Sequence, residues 1–545
     1  MKKPYFYNVF LLCLLLSSNF SFSQNTPSSF LNNNLISKVT TVKIDNPLSV
    51  QNKKPDNIEL FNYTFAVSIT DLDLIKKGKW IINDEDEWVW VLRVNAKEAK
   101  ALALDFEDVN LNNGDELFIF NEDKNIHSIS EINIKYTNTY SSNFFNGNNI
   151  SVEFNPEIND TLKQISKSIT LNYAFKEVNS NYGFGTSGNC EINANCNTEE
   201  DFQPEKRAVV RIRTVKSVNG KTYLGWCTGT IIGNTAQDET PYMITADHCY
   251  NYMVNGEYEG ASAQDLDKWG FYFNYDSPNC DNPTTEGTLA NQFLQGANYK
   301  ANAGTAGDAD SDFCLLELKN KIPSEYNPFW AGWDNRDVGS RNGYSYHHPS
   351  GDIKKVNTYN KELTSSEYDD RVTTDTHWKV FWESGVTEAG SSGSSILNSS
   401  GQIVGILTGG GSSCSSSTSS DFYGKISYGW EYKPESNSQL KHWLDPSSTN
   451  VTSIMGYDSD GPKKIKFVDE IEIHPNPITD GTIYFGHIDP LLLKEINIYN
   501  LNGQVVYTIK NPTSTSYNTN LPSGVYFSRT NYNGKITTTK LLFIN

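Results

Sequence analysis

The sequence predicts an all-β chain of several domains with a double β-barrel at its centre. Three observations carry this. At 545 residues there is room for two to four domains. Short alternating or wholly apolar runs recur between Gly-, Asn- and Ser-rich turns, and helical periodicity is scarce before residues 436–444. Between residues 206 and 430 those runs fall into two sets of about six strands.

In chain order, residues 1–24 read as a secretory signal. Lys2 and Lys3 form the basic end, residues 9–16 are an apolar run too short to span a bilayer, and Ser21-Phe22-Ser23 is a small-residue cleavage site before Gln24. Residues 25–60 are Asn/Ser-rich and expected to be extended. Residues 64–70 and 87–94 then read as strands, residues 96–104 as a short helix or strand, and residues 116–121 as a strand after the Asn113-Gly114-Asp115 turn. This is a compact β-rich module. Strands of the first barrel are expected at 208–214, 224–232, 242–246 and 269–275. Those of the second include 314–318, 379–382, 403–407 and 425–428. Residues 456–465 read as a linker, and residues 466–545 as a small β-sandwich with strand and turn signals at 474–477, 496–503, 521–527 and 540–544.

Composition excludes some classes of partner. The formal net charge of −19 disfavours nucleic acid and anionic membranes, which require a basic patch. No run after the signal is long and apolar enough to span a bilayer. Of eight cysteines, Cys13 lies in the signal, leaving Cys190, Cys196, Cys227, Cys249, Cys280, Cys314 and Cys414. In a secreted chain these suggest disulfides, and six of them allow fifteen pairings. Neither a C-x-x-C pair nor H-E-x-x-H occurs, so no metal or other cofactor is expected. His347-His348-Pro349 does not change this, because adjacent strand residues face opposite ways. The pair is read as structural.

The chemistry centres on residues 387–396, where Ser392 lies between Gly390 and Gly393. A nucleophilic serine needs a tight turn that exposes Oγ, with N–H groups converging on a developing oxyanion. Gly390 and Ser392 are the expected donors. Alone, a Gly/Ser stretch is more often a loop. Upstream, however, an apolar strand runs into Thr245-Ala246-Asp247-His248-Cys249, and Ser311-Asp312-Phe313 leads an alternating strand. His248, Asp312 and Ser392 thus appear in the chain order of chymotrypsin-type proteases. Ser392 is expected to attack a carbonyl, His248 to move the proton, and Asp312 to hold the imidazole. Protein or peptide substrates are the expected partners.

Residues 185–446 resemble the lysyl endopeptidases, a secreted bacterial branch of the chymotrypsin-like serine proteases. The matching words are Gly188-Asn189-Cys190-Glu191-Ile192, Thr245-Ala246-Asp247-His248-Cys249, Ser311-Asp312-Phe313, Phe329-Trp330-Ala331-Gly332-Trp333-Asp334 and His347-His348-Pro349. Residues 386–394, Gly410-Gly411-Ser412-Ser413-Cys414 and Leu444-Asp445-Pro446 match as well. The resemblance implies a protease domain at 185–455 and the disulfides Cys190–Cys414, Cys196–Cys280 and Cys227–Cys249. Cys314 is left over and is read as a small buried hydrophobe. The resemblance also implies that Asp421 is the carboxylate at the floor of a pocket for a basic side chain, although by itself it reads as a solvated loop residue. Trp382 matches a tryptophan lining the site. Thr408 stands where the resembled enzymes have histidine, and Gly409 and Gly410 offer a strand edge to the substrate backbone. Cleavage after lysine alone, or after both lysine and arginine, is the expectation; the competing reading is a non-catalytic surface protein on the same scaffold, or a serine protease of other specificity.

Ahead of such a domain, residues 25–184 are expected to be a propeptide partner that blocks the site and helps folding, the rival being a persistent binding domain. The implied mature start near Gly185 follows Phe184, and the closest upstream lysine is Lys176, so self-processing after lysine does not explain it. Residues 466–545 resemble the C-terminal sorting domain of the type IX secretion system of Bacteroidetes, with an adhesive module as the alternative. Type IX secretion machinery is therefore an expected partner, and secretion to the medium or outer cell surface the expected destination.

Overall fold

The computed structural model describes residues 27, 39–44, 58–59, 64–69, 72–122, 126–158, 161, 163–174, 183–196, 203–218, 221–254, 257–286, 289–303, 311–368, 374–459, 472–474, 476–479, 481–486, 493–510, 516–532 and 535–544. The expected signal lies outside these residues.

The N-terminal module is built from β1 (Thr64–Ile69), β2 (Trp88–Ala96), β3 (Ala101–Glu107), β4 (Glu116–Phe120), β5 (Asn149–Asn155) and β6 (Ser168–Ala174). β5 pairs with β2 and β4, and β6 pairs with β1 and β3. Residues 96–104, read as a short helix or strand, run from the end of β2 into β3, a strand in which only Glu107 is exposed. Leu92, Leu104, Leu117, Val152 and Phe154 fill the core between these strands.

The first barrel follows. Its strands are β7 (Val209–Val218), β8 (Lys221–Ile231), β9 (Tyr242–Ala246), β10 (Gly270–Tyr272), β11 (Phe293–Gln295), β12 (Ala297–Asn302) and β13 (Phe313–Leu318). Pairing runs β11-β10-β7-β8-β9-β13-β12. Only Gly296, at φ 92°, separates β11 at one end of this series from β12 at the other, so the chain itself closes the sheet. β13, expected from the sequence in the second set, belongs to the first barrel because it pairs with β9 and β12; it is buried at every position but Glu317, rather than alternating. Both of its faces are covered, one of them by Ile426–Trp430, which is a short helix and not the strand expected at 425–428, and which seats Gly429 against the Phe313 ring.

The second barrel contains β14 (Gly343–His347), β15 (Lys355–Tyr359), β16 (His377–Val380), β17 (Ser395–Asn398), β18 (Gln402–Gly410) and β19 (Asp421–Lys425). Pairing runs β15-β14-β17-β18-β19-β16. The segment after β16 then returns to β15, where the Glu383 N–H donates to the Thr358 carbonyl at 2.8 Å and closes this sheet too. The expected helix at 436–444 is two short pieces, a 3-10 turn at Ser436–Ser438 and a helical turn at Lys441–Leu444, broken where Gln439 is extended.

The barrels share one apolar core, in which Ile212, Met243 and Leu315 of the first meet Tyr344, Ile403 and Ile406 of the second. The start of the expected linker belongs to this body. Tyr457 is buried and stacks on Trp330 with ring centroids 5.7 Å apart. Apolar contact, not sequence composition, decides where the domain ends. Beyond it, β20 (Leu493–Tyr499), β21 (Val505–Lys510), β22 (Gly524–Tyr532) and β23 (Lys535–Phe543) form a sheet in the order β21-β20-β22-β23, with Ile496, Ile498, Leu541 and Phe543 in its core.

Nothing local in the sequence announces how the module meets the first barrel. β1 pairs antiparallel with β8, Val67 opposite Lys221 and Thr64 opposite Leu224, so one sheet runs through both. Tyr272 and Phe293 of the barrel lie in the module's core. Asn143 accepts from Arg213 Nη1 at 3.1 Å and from the Tyr272 hydroxyl at 2.7 Å, and Lys268 pairs with Asp105 at 2.9 Å. His127 stands 3.5 Å from the Asn143 amide, and burial, reinforced by Arg211 and Arg213, pushes its imidazole down to about 4.

Folded His127 is therefore neutral, whereas the unfolded chain protonates it below its ordinary 6.5. Stability should fall as pH drops from about 6.5 to about 4, by about 3 kcal/mol from this group, and should not depend on it above that window. Urea unfolding at pH 7.5 and 4.5 checks this: His127→Asn should lose less stability on acidification than the parent chain.

Candidate active site

Cross-strand pairing brings two of the three expected residues together. β9 ends at Ala246 opposite Phe313, so the short helix Asp247–Tyr250 starts beside Asp312. The Asp247 N–H donates to the Asp312 carbonyl at 2.8 Å, and the His248 N–H donates to Asp312 Oδ1 at 3.0 Å. His248 Nδ1 lies 2.8 Å from Asp312 Oδ2. An ionised carboxylate only accepts, so Nδ1 carries the proton and Nε2 is the basic nitrogen. The His248 side chain is 30% exposed and Asp312 is buried. Asp312 holds φ at 52°, an unusual backbone for a non-glycine residue.

Two neighbouring carboxyls are driven apart. Burial alone would push Asp312 up, but His248 and then Thr408 outweigh it and hold the carboxyl below the usual range. Asp247 is raised to about 8 by burial and by the charge of Asp312, against hydrogen bonds from Asn251 and Asn302. At neutral pH, Asp312 is the charged member and Asp247 the neutral one.

Ser392 arrives from the second barrel. Its carbonyl accepts the Thr228 N–H of β8 at 2.8 Å. Cys227, next to Thr228, is bonded to Cys249, next to His248, and Cys249 Sγ is 3.8 Å from the Ser392 carbonyl oxygen. The serine is therefore held within a residue of the histidine. Gly390 has φ 94°, and a Cβ there would stand 2.8 Å from the Gly351 nitrogen and 3.0 Å from the His348 oxygen. Only glycine fits both the dihedral and the space. Among the described residues, the N–H groups of Gly390 and Ser392 donate to no protein acceptor, as an oxyanion site requires.

Asp421 is completely buried. It accepts from Trp382 Nε1 at 2.7 Å, Thr387 Oγ1 at 2.8 Å, Ser412 Oγ at 2.5 Å and the Ser412 N–H at 3.0 Å. Trp382 and Asp421 thus form one unit. Sequence reading missed Thr387 and Ser412, although both stand inside the matched words around Ser392 and Cys414. Gly409 and Gly410 continue β18 past a bulge and pair with Phe422 and Asp421. Thr408 is held by a histidine after all: His377 of β16, buried, places Nε2 3.0 Å from the Thr408 hydroxyl.

Cys190–Cys414, Cys196–Cys280 and Cys227–Cys249 are bonded, and Cys314 is free and buried. His347 and His348 are wholly buried. Among the described residues, no cluster of His, Cys, Asp or Glu is arranged to hold a metal ion.

Two closed barrels with His248 and Asp312 on one and Ser392 on the other define a chymotrypsin-like double-barrel domain. Residues 184–424 match the family model described as lysyl endopeptidase, C-terminal domain, and residues 472–545 match the secretion system C-terminal sorting domain. The chain is 32% identical over 259 residues to a lysyl endopeptidase of Pseudomonas aeruginosa, an alignment covering 45% of this chain and 52% of that protein. It thus spans about half the length of this curated relative. Among solved structures, a protease of Arthrobacter nicotinovorans is 16% identical, with 41% of this chain and 91% of that one covered and a TM-score of 0.29. A Glu endopeptidase is 15% identical, with 44% and 93% covered and a TM-score of 0.26.

Gly393 supplies a test of the inter-barrel joint. A Cβ there would lie 2.4 Å from the Thr228 oxygen and 2.7 Å from the Ala246 nitrogen, both backbone, at φ 84°. Gly393→Ala should destabilise the domain by about 3 kcal/mol, read as a lowered thermal midpoint.

Proposed function

We propose that the chain is a secreted serine endopeptidase that hydrolyses peptide bonds after basic residues, lysine foremost. The single observation that carries this is the protonated His248 Nδ1 on Asp312 Oδ2 at 2.8 Å, with Ser392 fixed beside it by Thr228 and the Cys227–Cys249 bond. Ser392 Oγ attacks the scissile carbonyl as His248 Nε2 takes its proton. The oxyanion is received by the N–H groups of Gly390 and Ser392. His248 then gives the proton to the leaving amine, and water, deprotonated by the same nitrogen, releases the acyl group. Asp312 stays ionised throughout and stabilises the imidazolium.

Asp421 supports the basic preference. Its hydrogen bonds all come from neutral groups, so no protein cation competes with a substrate ammonium or guanidinium for this carboxyl. The strand edge at Gly409 and Gly410 would align the substrate backbone. The N-terminal module is assigned as the propeptide. The family match over 472–545 supports export by a type IX system.

Matched peptides carrying Lys, Arg, Glu or Leu before the cut, assayed on processed protein, test the activity. Lys should exceed Glu and Leu by orders of magnitude, Ser392→Ala should lose at least about 10⁴-fold in kcat, and Asp421→Asn should remove the basic preference. No cleavage by processed, disulfide-bonded protein would favour the non-catalytic scaffold. For export, deletion of 466–545 should retain the protein in the periplasm on cell fractionation; normal secretion would refute the sorting role.

A further inference from the structure

Directly behind Ser392 lies a second histidine–serine pair that the hydrolytic steps leave unused. His347 closes β14, and Ser391 precedes the candidate nucleophile; both are wholly buried. His347 Nδ1 is 2.7 Å from Ser391 Oγ. The same Oγ accepts the Glu388 N–H at 3.1 Å, while the Ser391 N–H returns to the Glu388 carbonyl at 2.9 Å. The turn 388–391 is therefore pinned at its last side chain, and the pin is rooted in β14 rather than in the turn. The two N–H groups left free for an oxyanion, those of Gly390 and Ser392, flank Ser391 on either side. Glycine at 390 gives the turn no stiffness of its own.

A further link runs back to the first residues of the domain. The Glu191 side chain is buried 3.7 Å from His347 Nε2. Three residues earlier, the Gly188 N–H donates to Glu388 Oε1 at 2.8 Å, and the Ser350 hydroxyl donates to Glu388 Oε2 at 2.7 Å. The Cys190–Cys414 bond secures this segment. Residues 188–191 thus touch the turn at Glu388 directly and reach Ser391 through His347. Burial favours the neutral forms of both ionisable groups, pushing His347 down to about 3 and Glu191 well up. The hydrogen-bonded part of the strut is His347 Nδ1 with Ser391 Oγ, while Glu191 packs against Nε2 beyond hydrogen-bond distance, so the strut does not depend on an exposed, salt-screened charge.

On the serine-protease reading, we infer that His347 is a positioning residue: through Ser391 it aims the Gly390 and Ser392 N–H groups at the oxyanion, with Glu191 packed behind it. Such a residue acts on the transition state and not on substrate docking, so its loss should appear in kcat.

The test uses the full chain, processed and disulfide-bonded, with the Lys peptide as substrate. Ser391→Ala and His347→Leu should each lower kcat about tenfold or more, with KM within about twofold. The double variant should be no worse than the poorer single one, because the two residues act in series. H347N, which keeps a polar atom near the place of Nδ1, should recover part of the kcat lost in H347L. Hydrogen exchange over residues 387–394 reads the strut without turnover, and should quicken in S391A and H347L but not in H347N. Unchanged kcat with unchanged exchange, multiplicative losses in the double variant, or a loss confined to KM would each overturn the inference. Should the parent protein cleave nothing, quickened exchange would retain the strut while the protease reading falls, and unchanged exchange would remove the strut independently.

Discussion

Thr228 is the residue through which the two barrels hold one geometry. Its N–H donates to the Ser392 carbonyl at 2.8 Å, and its hydroxyl donates to the Gly390 carbonyl at 2.9 Å. The same hydroxyl accepts the His348 N–H at 3.0 Å, and its carbonyl accepts from Thr245 Oγ1 at 2.8 Å. Both of its polar hydrogens and both of its oxygens are committed, at a site with no solvent contact. An unpaired polar group there would carry its full desolvation penalty, so these bonds act as a register rather than as added stability. The serine turn is positioned against strand β8, and the histidine is tied to the same strand by the neighbouring disulfide. One strand thus carries both attachments.

Electrostatics complete the arrangement. Asp247 and Asp312 are near neighbours in a buried place that cannot hold two bare charges cheaply. The one facing His248 stays ionised, and the one facing Asn251 and Asn302 takes the proton. The asparagines show why Thr245-Ala246-Asp247-His248-Cys249 is more than a histidine motif: its aspartate needs partners from elsewhere in the fold.

What was legible in the sequence follows from the range of each signal. His248 stands at the end of an apolar strand, Asp312 at the start of one, and Ser392 between two glycines that need positive φ, so all three are marked by their immediate neighbours. The double barrel followed from strand count and spacing. Asp421 carried no local mark. Its role as a hydrogen-bond hub depends on Trp382 and Thr387, 39 and 34 residues away, and only the resemblance singled it out. His377 was invisible because it meets Thr408 across two strands, where the resemblance drew attention only to a missing histidine. Residues 456–458 looked like a linker because glycine and aspartate dominate composition, while the single buried Tyr457 decides the packing. The pairing of β1 with β8 joins residues more than 150 positions apart and leaves no trace in either segment.

That pairing bears on the proposed removal of the module. While the module is present, residues 221–224 are paired with β7 on one side and with β1 on the other, so their outer edge is covered. Departure of residues 64–69 would convert this stretch into an open strand edge, and departure of the whole module would uncover Tyr272 and Phe293, which now lie in its apolar core. Open edges and uncovered aromatics invite other chains to add on. Were the module removed as proposed, the barrel would carry a colloidal hazard at a face remote in sequence from the serine turn, and a module that stayed associated after its peptide link was cut would keep the protein monodisperse.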